Sequence, residues 1–251
     1  MVRNMTQDFP VWASLGEPGG PHWKALRHDY VPEGLLGMIP APPGLVLDVG
    51  CFCGAVGAWL KRKYPDVRVV GIEPLGKAAD EARSNLDAVL QGRLEDVNLS
   101  DAGVRPGTVD VIVLADVLEH MFDPWNALLK LRPLLNSSGI VLASIPNIRN
   151  LTVLEQLAGG DFPYSDSGLL DITHIRFFTW QGVQRLFGET GYRIEAVTRT
   201  LDSRGQSLLE ALQRPPPVNI DTPLLQVKNQ THDQISELAT LQYWLRASSA
   251  A

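Results

Sequence analysis

Leu47-Asp48-Val49-Gly50-Cys51-Phe52-Cys53-Gly54-Ala55-Val56-Gly57 decides the fold. An apolar run from Leu45 to Val49, bounded by glycine on both sides, reads as a buried strand. Val56, Trp59 and Leu60 then share one helical face over Ala55 to Tyr64. A strand, a glycine-bearing turn and a helix in that order place free helix N–H groups beside a turn where backbone can approach a ligand. Outward from this unit, strands and helices alternate, which is the signature of a doubly wound parallel α/β sheet. Val67 to Ile72 is the second strand, Lys77 to Asp87 the next helix, and Ala88 to Gln91 a short third strand. Val109 to Ala115 is the fourth strand, and Asp123-Pro124 caps a helix running toward Leu135, followed by a turn at Asn136 to Gly139. Ile140 to Pro146 is the fifth strand, Thr179 opens a helix, and Arg193 to Thr200 is the sixth strand.

Three stretches lie outside this alternation. Residues 1–29, rich in glycine and proline, read as an N-terminal arm ahead of a single domain over 30–251. Residues 147–178 form an irregular connection of the length usually reserved for a lid. Residues 202–238 read as an insertion before a last strand at Leu241 to Leu245, inside a final hairpin.

Composition narrows the partners. The 251 residues are 45% hydrophobic and 20% charged, as in an ordinary globular chain. Lys+Arg 22 against Asp+Glu 28 gives a net charge of −6, whose field repels nucleic acid. No apolar run approaches a membrane span and no apolar leader opens the chain, so a cytoplasmic protein is expected. Cys51 and Cys53 are too close for an ordinary disulfide, and no second Cys/His cluster stands ready, so no metal site is expected.

The turn chemistry separates nucleotide classes. A dinucleotide fingerprint needs glycine at the middle position, where Phe52 would crowd a diphosphate. Glu73, directly after the second strand, can accept both ribose hydroxyls of a nucleoside. Past the fourth strand comes Asp116-Val117-Leu118-Glu119-His120, at the sheet end where such folds bind ligands.

LDVGC, GIEP, VDVIVLADVLEHMFDPW and GIVLASIPN together resemble the class I S-adenosylmethionine-dependent methyltransferases, over about residues 30 to 200. GGDFPYSDSGLLDITHIRFFT resembles a bacterial subgroup associated with glycosyltransferases and surface-polysaccharide pathways. The resemblance implies a Rossmann-like seven-stranded sheet and S-adenosyl-L-methionine as cofactor. It places Asp48, Gly50, Cys51 and Phe52 around the cofactor's turn and Glu73 at its ribose. Leu94 and Glu95 fall on the adenine side, and Asp116 near the methionyl part. Arg93 stands where many members have an acid, and Phe52 where many have glycine.

Methyl transfer from a sulfonium leans on positioning, and a hydroxyl acceptor also gains from a general base. His120 and His174 are the candidate catalytic residues, with Asp171 able to orient His174. Tyr164, Asp171 and Arg176 are candidate acceptor contacts, whereas Trp125, Phe177, Phe178 and Trp180 read more plainly as packing. The bland reading of His174 and Arg176 is that they pin the lid to the body.

The implied reaction is methylation of a small polar acceptor, first a hydroxyl of a sugar or a sugar-linked metabolite such as a sugar nucleotide. An aromatic or quinone-like hydroxyl is the second reading. A non-catalytic partner of a biosynthetic enzyme, keeping only the fold, is the third. A homodimer is left open, for no apolar stripe argues for it.

Overall fold

Alternation within each strand builds two cores at once, because successive side chains point to opposite faces of the sheet. The computed structural model describes residues 29–209, 213 and 215–250; the N-terminal arm expected over 1–29 falls, save Asp29, outside them. A single helical turn, α1 (Glu33–Leu36), precedes β1 (Leu45–Val49), α2 (Ala55–Lys63), β2 (Arg68–Glu73), α3 (Gly76–Ala82) and β3 (Ala88–Gln91). Then come β4 (Val109–Ala115), α4 (Pro124–Leu131), β5 (Leu135–Pro146), α5 (Leu151–Ala158), α6 (Trp180–Glu189) and β6 (Tyr192–Leu201). The chain closes through α7 (Ser203–Leu209), β7 (Val218–Asp221), β8 (Gln226–Gln230), α8 (His232–Ala239) and β9 (Thr240–Ser249).

The main sheet has seven strands in the order β3-β2-β1-β4-β5-β9-β6. β1 lies parallel to both β2 and β4, with Val46 opposite Val69 and Val111. β9 enters antiparallel between β5 and β6, where Leu245 faces Ala143 on one side and Val197 on the other. The strand order reverses between β1 and β4, so a crevice opens above their carboxyl ends. Leu47, Ile112 and Leu114 pack with Leu128 of α4 and Phe187 of α6 on one face. Val46, Val69 and Val111 pack with Leu60 of α2 and Leu35 and Leu36 of α1 on the other. α4 starts as expected: Asp123 accepts a hydrogen bond from Asn126 N at 3.0 Å and Pro124 fills the first turn.

The helix expected over Lys77 to Asp87 ends already at Ala82, and two further stretches differ from the sequence expectation. α4 stops at Leu131 and β5 starts at Leu135, so Asn136 to Gly139 are not a turn before a strand. Leu135 already pairs with Val109, and the four residues bulge before Ile140 pairs with Val111. Asn136 Nδ2 donates to Asp110 Oδ1 at 2.6 Å, which fastens the bulge to β4. The stretch after β5 is also less irregular than expected, since it carries α5, capped by Asn150 accepting from Thr152 N at 2.9 Å. Leu151 of α5 packs with Val218 and Ile220 of β7 and Ile235 and Leu238 of α8, a separate small core.

Asn147 ties these parts together. Fully buried, it donates through Nδ2 to Glu237 O at 2.7 Å and Thr240 O at 2.9 Å, and its Oδ1 accepts from Arg149 N at 3.0 Å. Truncation would remove three hydrogen bonds: Glu237 O and Thr240 O would keep only their bonds from Thr240 N and Asn150 Nδ2, and Arg149 N would lose its acceptor. Asn147→Ala is therefore expected to lower stability by about 3 kcal/mol, read as a fall in the urea midpoint. A change under about 0.5 kcal/mol would mean that this side chain does not hold the junction.

Candidate functional site

The turn after β1 is shaped by a close approach and a buried acid. Gly50 has φ +71°, and a Cβ there would meet Val117 Cγ2 at 2.7 Å, so both conformation and space require glycine. Gly50 N and Cys51 N both donate to Ile72 O, at 2.8 and 3.1 Å. Phe52 adopts φ +46°, the left-handed region that glycine would enter more cheaply, and packs beside Cys53 and Ala78. Phe52 N donates to Glu73 Oε2 at 2.9 Å, and Leu75 N donates to Glu73 Oε1 at 2.9 Å. Burial raises the Glu73 carboxyl above its ordinary range, while these two bonds pull it back. Each oxygen keeps a lone pair for a further donor.

Asp48 lies beside this turn and is 2% exposed, with Oδ2 unpartnered among the described residues. Burial, with the Glu73 charge second, pushes its carboxyl up to about 7. At the end of β4, Asp116 takes φ +55° and its Oδ1 accepts from Ser144 Oγ and Gln242 Nε2, both at 2.8 Å. Ser144 Oγ also accepts from Asp116 N at 2.8 Å, so the acid is fixed from two strands. Leu94 is buried, and Lys130 Nζ of α4 donates to Leu94 O and Glu95 O, which fixes the loop after β3.

Opposite this wall, the 3₁₀ turn Leu118–His120 meets the segment after α5. Glu119 O accepts from Ile175 N at 2.9 Å and Arg176 N at 3.0 Å, stitching the two together. His120 Nδ1 lies 3.2 Å from Thr173 O and from Thr173 Oγ1, and His174 Nδ1 lies 3.3 Å from Leu169 O. A contact to a carbonyl makes each Nδ1 a donor, so each neutral ring keeps its lone pair on Nε2. The rings meet edge to face with centroids 4.8 Å apart. Burial, with the neighbouring His120 second, lowers His174 to about 4, which keeps it neutral at physiological pH. Asp171 Oδ1 accepts from Thr173 N at 2.8 Å and Thr173 Oγ1 at 2.6 Å, so it orients the threonine that meets His120 rather than His174 itself.

Every residue expected on the cofactor side lines one cleft of about 1380 Å³, and so do His120, Asp171 and His174. The Cys51 side chain is packed against β2: its Sγ lies 2.5 Å from where a Cβ on Gly71 would stand, and burial raises its thiol far above the ordinary range. Tyr164 and Arg176 are not brought into the cleft. Tyr164 is half exposed against the Phe162 ring, 5.4 Å between centroids. Arg176 donates to Phe122 O and lies 5.2 Å from the Phe122 ring, holding the 118–122 turn from outside. Sequence reasoning missed Glu119 and Gln242. Glu119 was signalled only by its place next to His120; Gln242 gave no signal, since its partner Asp116 lies far away along the chain.

A sheet that reverses between β1 and β4, with acids ending β1, β2 and β4 around a glycine turn, defines a Rossmann-like nucleotide-binding protein of the methyltransferase type. Residues 23–197 match the family model described as a methyltransferase domain, and the chain belongs to that family. Over 102 residues it is 33% identical to the mitochondrial ubiquinone biosynthesis O-methyltransferase of Schizosaccharomyces pombe, covering 40% of this chain and 37% of that protein. Over 151 residues it is 23% identical to the malonyl-[acyl-carrier protein] O-methyltransferase of Geobacter sulfurreducens, covering 60% and 56%. These matches thus span between a third and somewhat over half of the curated relatives. A solved S-adenosylmethionine-dependent methyltransferase of Thermotoga maritima, described as a possible histamine N-methyltransferase, shares the fold at TM-score 0.57. It is 15% identical, with 86% of each chain covered.

S-adenosylmethionine is the cofactor of this family, and the donor set fits it. The orphaned Asp48 oxygen suits an ammonium, and the spare lone pairs of Glu73 suit ribose hydroxyls. Because the folded-state value of Asp48 is raised, its proton favours the folded protein at low pH, and that contribution fades as pH climbs toward 7. Binding of an ammonium asks for the ionised form. Affinity for S-adenosylhomocysteine is therefore expected to rise about tenfold from pH 6 to pH 8, and Asp48→Asn to flatten the rise, by isothermal titration. An equal rise in the variant would remove Asp48 from the ammonium site.

Proposed function

We propose that this protein transfers the methyl group of S-adenosylmethionine to a hydroxyl oxygen of a small, uncharged polar acceptor, with a sugar hydroxyl as the first choice. The observation that carries this reading is the pair His120 and His174, both holding Nδ1 against a carbonyl, in the same cleft as Asp48, Glu73 and Asp116. When bound, the cofactor supplies a methyl group already activated on sulfur. The acids at Asp48 and Glu73 hold its polar ends, and Asp116, braced by Ser144 and Gln242, keeps the methionyl end in place. A neutral His174 lines the acceptor end of the cleft and helps set the incoming hydroxyl with its oxygen lone pair on the line of approach. The 147–178 segment acts as a lid over this end, tied down by the Glu119 carbonyl.

Charge selects the acceptor class. Among the described residues lining the cleft, eight are Asp or Glu and only Arg93 is Arg or Lys. Such a field favours a cationic cofactor and disfavours a diphosphate or carboxylate acceptor, so a glycoside is preferred over a sugar nucleotide. An aromatic or quinone-like hydroxyl is a second reading, supported by Met121, Phe122 and Ile175 on the cleft wall and by the likeness to the fission-yeast ubiquinone biosynthesis O-methyltransferase. Membership of a surface-polysaccharide pathway belongs with the first reading, and rests on the likeness of residues 159–179 alone.

Turnover to S-adenosylhomocysteine, measured across neutral glycosides, sugar nucleotides and catechol-type phenols, tests this. Activity is expected with neutral hydroxyls, and His174→Ala is expected to cut kcat about 100-fold while S-adenosylhomocysteine affinity stays within about twofold. Activity confined to amines or carboxylates would overturn the hydroxyl reading.

A further inference from the structure

We infer that Glu119, His120 and His174 form a binding site for one divalent transition-metal cation at the acceptor end of the cleft. One ligand atom from each residue lies within 4.8 Å of the other two. Ligands about 2.1 Å from a tetrahedral zinc-like ion stand about 3.4 Å apart, so closure by up to about 0.7 Å per side chain completes the set. Two imidazoles and one carboxylate suit zinc, cobalt or manganese, and are too nitrogen-rich for magnesium or calcium.

Two further observations point to an ion rather than to a chance grouping. Glu119 is 1% exposed, yet neither carboxylate oxygen has a hydrogen-bond partner on any other described residue, and only its own backbone N–H draws on it. The charges acting on it are those of Asp116 and Asp171, both of the same sign. A buried carboxylate so placed lacks the pairing that normally accompanies burial, and a cation would supply it. The second observation is the outer partners of the rings. His174 turns Nδ1 to Leu169 O and His120 turns Nδ1 to Thr173 O, which selects the tautomer carrying its lone pair on Nε2. Metal-ligating histidines are held in this way, by a carbonyl on the other ring nitrogen.

The chemistry deepens the hydroxyl-methylation reading, and rests on it. A cation at this point lowers the pKa of a coordinated hydroxyl and offsets Asp116, Glu119 and Asp171. The acceptor oxygen gives its proton to water and forms the new carbon–oxygen bond as the carbon–sulfur bond breaks with its electron pair on sulfur. The balance is one methyl ether, one S-adenosylhomocysteine and one proton. Protein residues keep one side of the cation, leaving positions for the acceptor, as catalytic rather than structural metal sites do.

The test uses the tag-free full chain, stripped with EDTA and titrated with cobalt(II) chloride while its visible ligand-field absorption is followed. One equivalent per chain is expected, with Kd below about 10 µM and displacement of the spectrum by zinc. Glu119→Gln and His174→Asn are each expected to weaken cobalt binding about 100-fold, with S-adenosylhomocysteine affinity kept within about twofold as evidence of folding. Should either variant fail to fold, His120→Asn on the exposed rim carries the same expectation. No saturable cobalt spectrum, or a spectrum unchanged in the folded variants, overturns the site. Hydroxyl turnover that survives EDTA unaltered overturns the metal site and leaves the hydroxyl reading standing. A cobalt site without turnover of any hydroxyl acceptor does the reverse.

Discussion

A single buried carboxylate organises the cofactor half of this protein. Glu73 ends β2, and its two oxygens take the N–H groups of Phe52 and Leu75, one from the turn after β1 and one from the entry to α3. Three chain segments therefore meet on one side chain. The cost is that Asp48, nearby and buried, shares the space with a second acid and has an oxygen with no partner among the described residues. Two adjacent buried acids weaken the empty fold, and the compensation comes from a cationic ligand, so stability is given up where binding needs it. Phe52 in the left-handed region belongs to the same arrangement: Glu73 holds its N–H in place, and the backbone accepts strain that glycine would avoid.

The acceptor half is organised differently, by backbone carbonyls. Glu119 O anchors Ile175 and Arg176, while Leu169 O and Thr173 O set the two imidazoles. Behind this, Asn147 and the Arg149–Glu237 ion pair at 2.8 Å lock the base of the 147–178 segment to α8 and the start of β9. Exposed ion pairs contribute little, but this pair is largely sheltered and accompanies buried amide bonds. The 203–239 region therefore stabilises the segment that brings His174 to the cleft, through α5 and the small core it shares with β7 and α8.

Legibility in the sequence followed the range of the interactions. β1, its turn and α2 are contiguous, so the strand-turn-helix unit is legible in spacing, and the alternation of strands and helices announces the doubly wound sheet; the seven strands and the places of Asp48, Gly50 and Phe52 rest on the family resemblance. α5 was missed because Asn147 to Ala158 mixes polar caps with a short apolar face that packs on a region far along the chain. The bulge at Asn136 to Gly139 was read as a turn because those residues are turn formers; the Asp110 contact that recasts them is a tertiary one. Glu119 is legible as a residue but not as a buried one, since burial at that position depends on the docking of residues 171–176. Tyr164 and Arg176 are candidates for their place in the segment over the site, and a place in an irregular segment does not say which way a side chain faces.

The acids around the cleft suggest why two halves built on different principles work as one. A sulfonium cofactor enters as a cation and leaves as an uncharged thioether, so a negative field attracts the reactant more strongly than the product. The same field, extended to Asp116, Glu119 and Asp171, would hinder ionisation of a hydroxyl, because an alkoxide beside three carboxylates is unfavourable. Keeping His174 neutral meets that difficulty only in part, for an imidazole held so far below its ordinary range is a weak proton acceptor. An acid-rich cleft that serves the cofactor therefore calls for positive charge on the acceptor side. The proposed place for it is the convergence of two imidazoles and a carboxylate that no other described residue pairs.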